Sequence, residues 1–331
     1  MVKLYPYEER KNFKLLIQCL KKYKDNCIFW IGAGISKIAG YPSWKELVLE
    51  VLLFFEENKH TLSFEKMMEF KQRLYLLNKK LKKGKIFADL FQELKRKSSY
   101  EVLEIFKTLD FKDFPDILQW LKYIDNHLYI KGVQQLFKDK EKQQKNEIYL
   151  KIGKFLSKGI PVITTNIDKG LEIALSISED EISIVSLGRY NLNSKIFYLH
   201  GRIDEPKSWI LSEQEYGERY ANSKEFLNFW EEFLERFKII IFLGYGLKER
   251  DIQRKFYNRD NLFFWIERIL EQNEEDKEEE EINRTVTNLE INGINIYPII
   301  YKDKNENSIF EVLDNIYQNA FRPTIQFTKE E

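Results

Sequence analysis

Cysteine and histidine are scarce: the 331 residues hold two of the first, Cys19 and Cys27, and three of the second. That supply excludes a four-cysteine zinc module, so no structural zinc and no other metal site is expected. Both cysteines stand in apolar surroundings and read as packed thiols. Net charge is absent as well, because 53 basic and 53 acidic side chains cancel. No global field then recruits nucleic acid or an anionic membrane, and direct nucleic-acid binding is not expected. Long apolar runs are missing too. The longest, Ile239–Leu243 among them, have the length of a strand, against about 20 residues for a membrane span. Met1–Arg10 is charged and polar, without a signal-peptide core, which makes a cytoplasmic protein the expectation. There is no internal repeat and no Pro- or Gly-rich linker.

What is present suits a large core. Hydrophobic residues at 43% and aromatics at 15% argue against a disordered chain. Two kinds of segment alternate. Short β-branched and aromatic runs end in glycine or a polar turn: Cys27–Ile31, Val162–Thr165, Ile196–Leu199, Ile239–Leu243 and Ile294–Tyr301. Such runs fit strands of a parallel sheet covered on both faces, with ligands at the carboxyl ends. From about Trp44 to Ser157 the apolar spacing is helical instead, as at Leu47, Val51 and Phe54 or Ile117, Trp120, Leu121 and Ile124. The expected architecture is a Rossmann-like α/β parallel sheet with helices on both faces and a large helical insertion. Residues 1–44 and 158–331 would form the discontinuous α/β domain and 45–157 the insertion. Lys79–Lys85 reads as a solvated helix end, and Glu274–Glu281 as an exposed acidic loop or helix end.

Four strand ends carry the chemistry. Gly32-Ala33-Gly34-Ile35-Ser36 follows a strand, where its exposed N–H groups would hold a phosphate or simply make a strand-to-helix turn. No Walker lysine follows it, which argues against a nucleotide triphosphatase, and the full dinucleotide fingerprint is lacking. Ser43 and Glu46 have capping-box spacing, so a helix should start at Ser43. In Thr165-Asn166-Ile167-Asp168, Asp168 either caps a helix or projects with Asn166 into the crevice. His200-Gly201 closes the next strand, so its imidazole can face a ligand, and an ordinary pKa near ~6.5 suits a base. His60 and His127, by contrast, lie in helical patterns and read as packed or hydrogen-bonded. Gly244-Tyr245-Gly246 ends the last of these strands, and Asp251 beyond it reads as a helix cap or ion-pair member.

In this order and placement, the four elements resemble the sirtuin superfamily and, more narrowly, bacterial sirtuin-like domains of anti-phage defence proteins. Gly40–Trp44 and Trp209–Tyr216 support the resemblance. It implies that NAD is bound as substrate: Gly32, Ala33, Gly34 and Ser36 would cradle its phosphates, and Asp168 would line the nicotinamide–ribose pocket with Asn166. Gly244 and Tyr245 would lie near the adenosine half. Asn166 would orient a water, and His200 would contact the ribose hydroxyls and act as general base. The implied activity is NAD glycohydrolysis that yields nicotinamide and ADP-ribose, as a gated effector of anti-phage defence. A deacylase, an ADP-ribosyltransferase and a non-catalytic NAD- or ADP-ribose-binding subunit are the alternatives. Two departures weigh against a deacylase: the four zinc cysteines are missing, and Ser43-Trp44-Lys45 stands where deacylases carry Asp-Phe-Arg. A free NADase would kill its host, so a homo-oligomer or a separate regulatory protein such as an ATPase is the expected partner.

Overall fold

The structure is a computed structural model that describes residues 10–80, 114–141, 147–221, 223–247, 249–270, 275–303 and 308–322. Its centre is a seven-stranded parallel sheet: β1 (Cys27–Ile31), β2 (Val162–Thr164), β3 (Ile182–Ile184), β4 (Ile196–Tyr198), β5 (Ile239–Leu243), β6 (Leu262–Leu270) and β7 (Asn295–Asp303). The strand order is β3-β4-β2-β1-β5-β6-β7. β1 is central, with Phe29 opposite Val162 on one side and Cys27 opposite Ile239 on the other. The connections therefore reverse direction beside β1, which opens a crevice at the carboxyl ends of β1, β2, β4 and β5.

Burial on both faces explains the unbroken apolar runs. Every residue of β1 and β5 is buried. Cys27, Phe29 and Ile31 enter one hydrophobic cluster, while Ile28 and Trp30 enter the other. On the first face Phe29 meets Phe155 with ring centroids 4.8 Å apart. On the second, Trp30 stacks on Trp230 at 5.8 Å. The period-2 alternation of side chains distributes β1 between two cores, so neither face tolerates a polar residue.

Between β1 and β2 run the helices Trp44–Asn58, Phe64–Lys80, Phe114–Ile124, Asn126–Glu141 and Glu147–Leu156. The first begins where expected. The Ser43 N–H donates to Glu46 Oε2 at 2.6 Å, and the Glu46 N–H donates to Ser43 Oγ at 3.3 Å. Leu47, Phe55, Phe70, Leu121 and Val133 from these helices share one cluster with the sheet's own Phe29 and Ile241. Lys122 Nζ also reaches the buried Glu215 at 2.5 Å, which fastens Phe114–Ile124 to the segment after β4.

Five of the seven strands lie where the sequence pattern puts them. β3, Ile182-Ser183-Ile184, is as short as β2 and β4 but lacks their unbroken β-branched and aromatic run, and β6 is an apolar run interrupted by Glu267 and Arg268. Cys19 and Cys27 are buried free thiols. His60 and His127 correct an expectation: both are exposed, on a short turn and in the first turn of a helix, rather than packed. The Lys79 and Lys80 side chains, residues 81–85 and residue 274 lie outside the described residues, as does the Asp251 side chain. Glu280 and Glu281 are exposed on the helix Glu275–Ile291. Among the described residues, no helix is long and apolar enough to cross a membrane.

A Cβ on Gly32 would fall 2.5 Å from the Gly244 carbonyl oxygen and 2.7 Å from Tyr245 Cα, both backbone atoms that cannot swing away. Gly32→Ala is expected to destabilise the chain by about 1–3 kcal/mol, read as a lower urea midpoint. An unchanged midpoint would show that the two loops are free to separate.

Candidate functional site

The loop after β1 and the loop after β5 are joined by backbone. The Gly32 N–H donates to Leu243 O at 3.0 Å, and the Gly34 N–H donates to Gly244 O at 2.9 Å. Two of the N–H groups that the sequence offers to a phosphate are thus engaged within the protein. Gly244 has φ +60, a left-handed conformation that favours glycine. These glycines let two strand ends touch, and the helix Ala33–Ile38 then carries Ser36 into the crevice.

Ser36 links the residues after β2. Its Oγ donates to Asp168 Oδ2 at 2.5 Å and accepts from Asn166 Nδ2 at 2.7 Å. Asn166 Nδ2 donates to Gly32 O as well, at 2.9 Å. The amide nitrogen is therefore committed, and among the described residues Asn166 Oδ1 has no hydrogen-bond partner. Asp168 Oδ1 accepts from the Tyr149 hydroxyl and the Gly170 N–H, each at 3.0 Å. Asp168 thus holds the Gly170 N–H at the start of the helix Gly170–Leu175, and it borders the crevice with both oxygens engaged. Burial pushes its carboxyl above the ordinary range, against the pull of the Ser36, Gly170 and Tyr149 hydrogen bonds.

His200 closes β4 and is buried, with Nε2 2.8 Å from the Tyr220 hydroxyl and its ring edge-on to Tyr216 at 5.2 Å. Burial lowers its pKa to about 3, so the imidazole is neutral at neutral pH rather than half-protonated. Gly201 has φ +90, and a Cβ there would meet Ser208 O at 2.3 Å. Arg202 follows, buried and bidentate to Glu179 at 2.5 and 2.6 Å, with Asp204 at 3.0 Å. This network anchors the turn that aims His200. Glu249, beyond β5, accepts from the Tyr216 hydroxyl at 2.9 Å and lies 3.6 Å from His200 Nε2.

These groups border one cavity of about 350 Å³. Of the residues named from sequence, Ala33, Gly34, Ser36, Asn166, Asp168, His200, Gly244 and Tyr245 line it, whereas Gly32 stands behind them. Trp44, Leu47 and Phe137 roof it from the helices between β1 and β2, and Tyr216 and Glu249 complete the wall. Phe137 carries no local signal, since only folding brings its helix over the sheet. Glu249 had one available, a carboxylate three residues past Gly246 at a strand end. A second cavity of about 360 Å³ adjoins the first through Gly34, Gly244 and Gly246, over the ends of β6 and β7.

The buried, neutral His200 predicts a pH signature. The unfolded chain takes up this proton near pH ~6.5 and the folded chain only near pH 3. Stability contributed by the neutral ring is therefore present above ~6.5 and falls as pH drops toward 3. His200 NMR shifts should stay flat from pH 8 to about 5, and His200→Gln should flatten the acid-side fall of the urea midpoint. A shift that titrates between about pH 6 and 7 would refute this.

No curated protein matches the chain. Residues 161–282 match the family model of the SIR2-like domain, a stretch that includes Asn166, Asp168, His200, Gly244, Tyr245 and Glu249. The glycine turn at 32–36 lies outside the match but forms the opposite wall of the same cavity. The parallel sheet and the crevice at its switch point agree with this match, and residues 161–282 of the chain form a SIR2-like domain.

Proposed function

We propose that the chain is an NAD glycohydrolase that cleaves the nicotinamide–ribose bond and releases nicotinamide and ADP-ribose. The observation that carries this reading is the meeting of Asn166 and His200, from two different strand ends, in one cavity bounded by Gly34 and Gly244. In this reading the nicotinamide riboside half would occupy that cavity and the adenosine half the adjoining one. Ala33, Gly34 and Ser36 would then cradle the phosphates, and Gly244 and Tyr245 would lie toward the adenosine half, Gly244 lining both cavities and Tyr245 the first.

Cleavage expels neutral nicotinamide and leaves an oxocarbenium-like ribose, so rate comes from preorganised dipoles and a positioned nucleophile. Asn166 suits the second task. With its amide nitrogen fixed by Gly32 O and Ser36 Oγ, its Oδ1 can hold a water without reorganising. His200, held by Tyr220, presents a neutral ring to the ribose hydroxyls. Water is the acceptor in this reading, because both cysteines are buried thiols and no four-cysteine small domain can shape a groove for acyl-lysine.

Biologically, this reading makes the chain an NAD-depleting effector of the anti-phage type, silent until a homo-oligomer or a separate protein such as an ATPase licenses it. The helices between β1 and β2 supply the contact surface, where Phe64 and Tyr123 are 73% and 72% exposed. These helices also roof the cavity, so a contact there can reach the chemistry.

Nicotinamide release from NAD tests the reading, in the chain alone and with co-purifying partners. Asn166→Ala and His200→Ala are each expected to lower kcat on the order of 10²-fold or more while the fold persists. Wild-type protein that binds NAD but releases no nicotinamide under either condition overturns it. Release that requires an acceptor peptide would make the chain a transferase.

A further inference from the structure

Two carboxylates border the cavity, Asp168 and Glu249, and they are differently placed. Asp168 is buried, and both its oxygens are taken by Ser36, Tyr149 and Gly170. It is a structural strut for Ser36 and Asn166. Glu249 is 17% exposed, on the loop after β5, where it forms part of the wall. Its carboxylate is oriented by the Tyr216 hydroxyl at 2.9 Å and stands 3.6 Å from His200 Nε2. The groups facing it are His200 from the end of β4, Tyr216 from the segment Glu213–Ala221, and Tyr245 from its own loop, with Tyr220 behind them on His200. After burial itself, the Glu249 charge is the largest influence that pushes the Tyr216 and Tyr245 phenols up, which keeps both neutral.

We infer that Glu249 is a catalytic carboxylate of this site, set to stabilise the cationic ribose and to take the proton of the attacking water. The inference rests on the glycohydrolase reading and adds a residue to it. In the step, the C1′–N1 bond breaks and its electron pair passes to the pyridinium ring, so nicotinamide leaves neutral. The water oxygen bonds to C1′, its proton passes to Glu249, and Glu249 later releases that proton to solvent. The products are nicotinamide, ADP-ribose and one proton. A neutral imidazole already tied to Tyr220 is a poor acceptor for that proton, and a carboxylate also offers the negative charge that an oxocarbenium ion needs.

Glu249→Gln, Glu249→Asp and Glu249→Ala in the full chain test the inference. Glu249→Gln is expected to lower kcat on the order of 10²–10³-fold, with NAD affinity and thermal midpoint near wild type, and to remove the acid limb of the pH–rate profile. Glu249→Asp should retain that limb and lose about tenfold or less, and added formate should restore part of the Glu249→Ala rate. An active wild type beside Glu249→Gln that keeps its rate to within about threefold, acid limb intact, overturns the inference alone. Loss of rate with a lowered thermal midpoint and no formate rescue also overturns it, as a purely structural effect. A wild type that binds NAD and never hydrolyses it removes the underlying reading instead.

Discussion

The site depends on the contact between two backbones. Gly32 and Gly34 sit so close to Gly244 that a methyl group at either position would strike its carbonyl oxygen, at 2.5 and 2.9 Å. Because those glycines lack side chains, the loops after β1 and β5 bond to each other through the Gly32 and Gly34 N–H groups. That approach sets the floor of the crevice and delivers Ser36 to Asn166 and Asp168. Were the loops apart, the hydrogen bonds that orient the Asn166 amide would have no anchor. The glycines shape the crevice through proximity, because the Gly32 and Gly34 N–H groups are already engaged by Leu243 and Gly244.

Around this contact, several buried charged groups are paired across different elements. Asp168 joins the loop after β2 to the helix Glu147–Leu156 through Tyr149 and to Ala33–Ile38 through Ser36. Arg202 gathers Glu179, Asp204 and Glu172 beneath the turn after β4. Glu215 accepts the Leu211 and Ser212 N–H groups and pairs with Lys122, so the wall segment is joined to the roof helices. Unpaired burial of such groups is expensive, which makes these networks specify one arrangement of four strand ends. The same burial holds His200 neutral, a state set by the surroundings of the ring and not by its position in the chain.

Legibility followed the range of the interaction concerned. Strands with continuous apolar runs were readable because both faces of a parallel sheet are covered, as for β1 and β5. The capping box at Ser43 was readable because its two hydrogen bonds close within four residues. β3 was not, since at the sheet edge it is Ile182-Ser183-Ile184, without the unbroken β-branched and aromatic run of the equally short β2 and β4. His60 and His127 show the converse limit: a helical pattern places a residue on a helix, yet which face meets the core is a tertiary matter.

By itself, the sequence determined the α/β class, most strand positions and the polar residues at strand ends, because these follow from local periodicity and turn chemistry. It also determined that Asn166, Asp168, His200 and Gly244 would share the carboxyl edge of the sheet, since parallel strands all end on one side. Only the tertiary structure decided what those residues meet there. It chose Ser36 as the partner of both Asn166 and Asp168, brought Phe137 over the cavity from a distant helix, and set Glu249 beside His200. The physical reason is that hydrogen-bond partnership, burial and proton affinity depend on distances of a few ångströms between segments far apart in the chain. No local pattern encodes those distances.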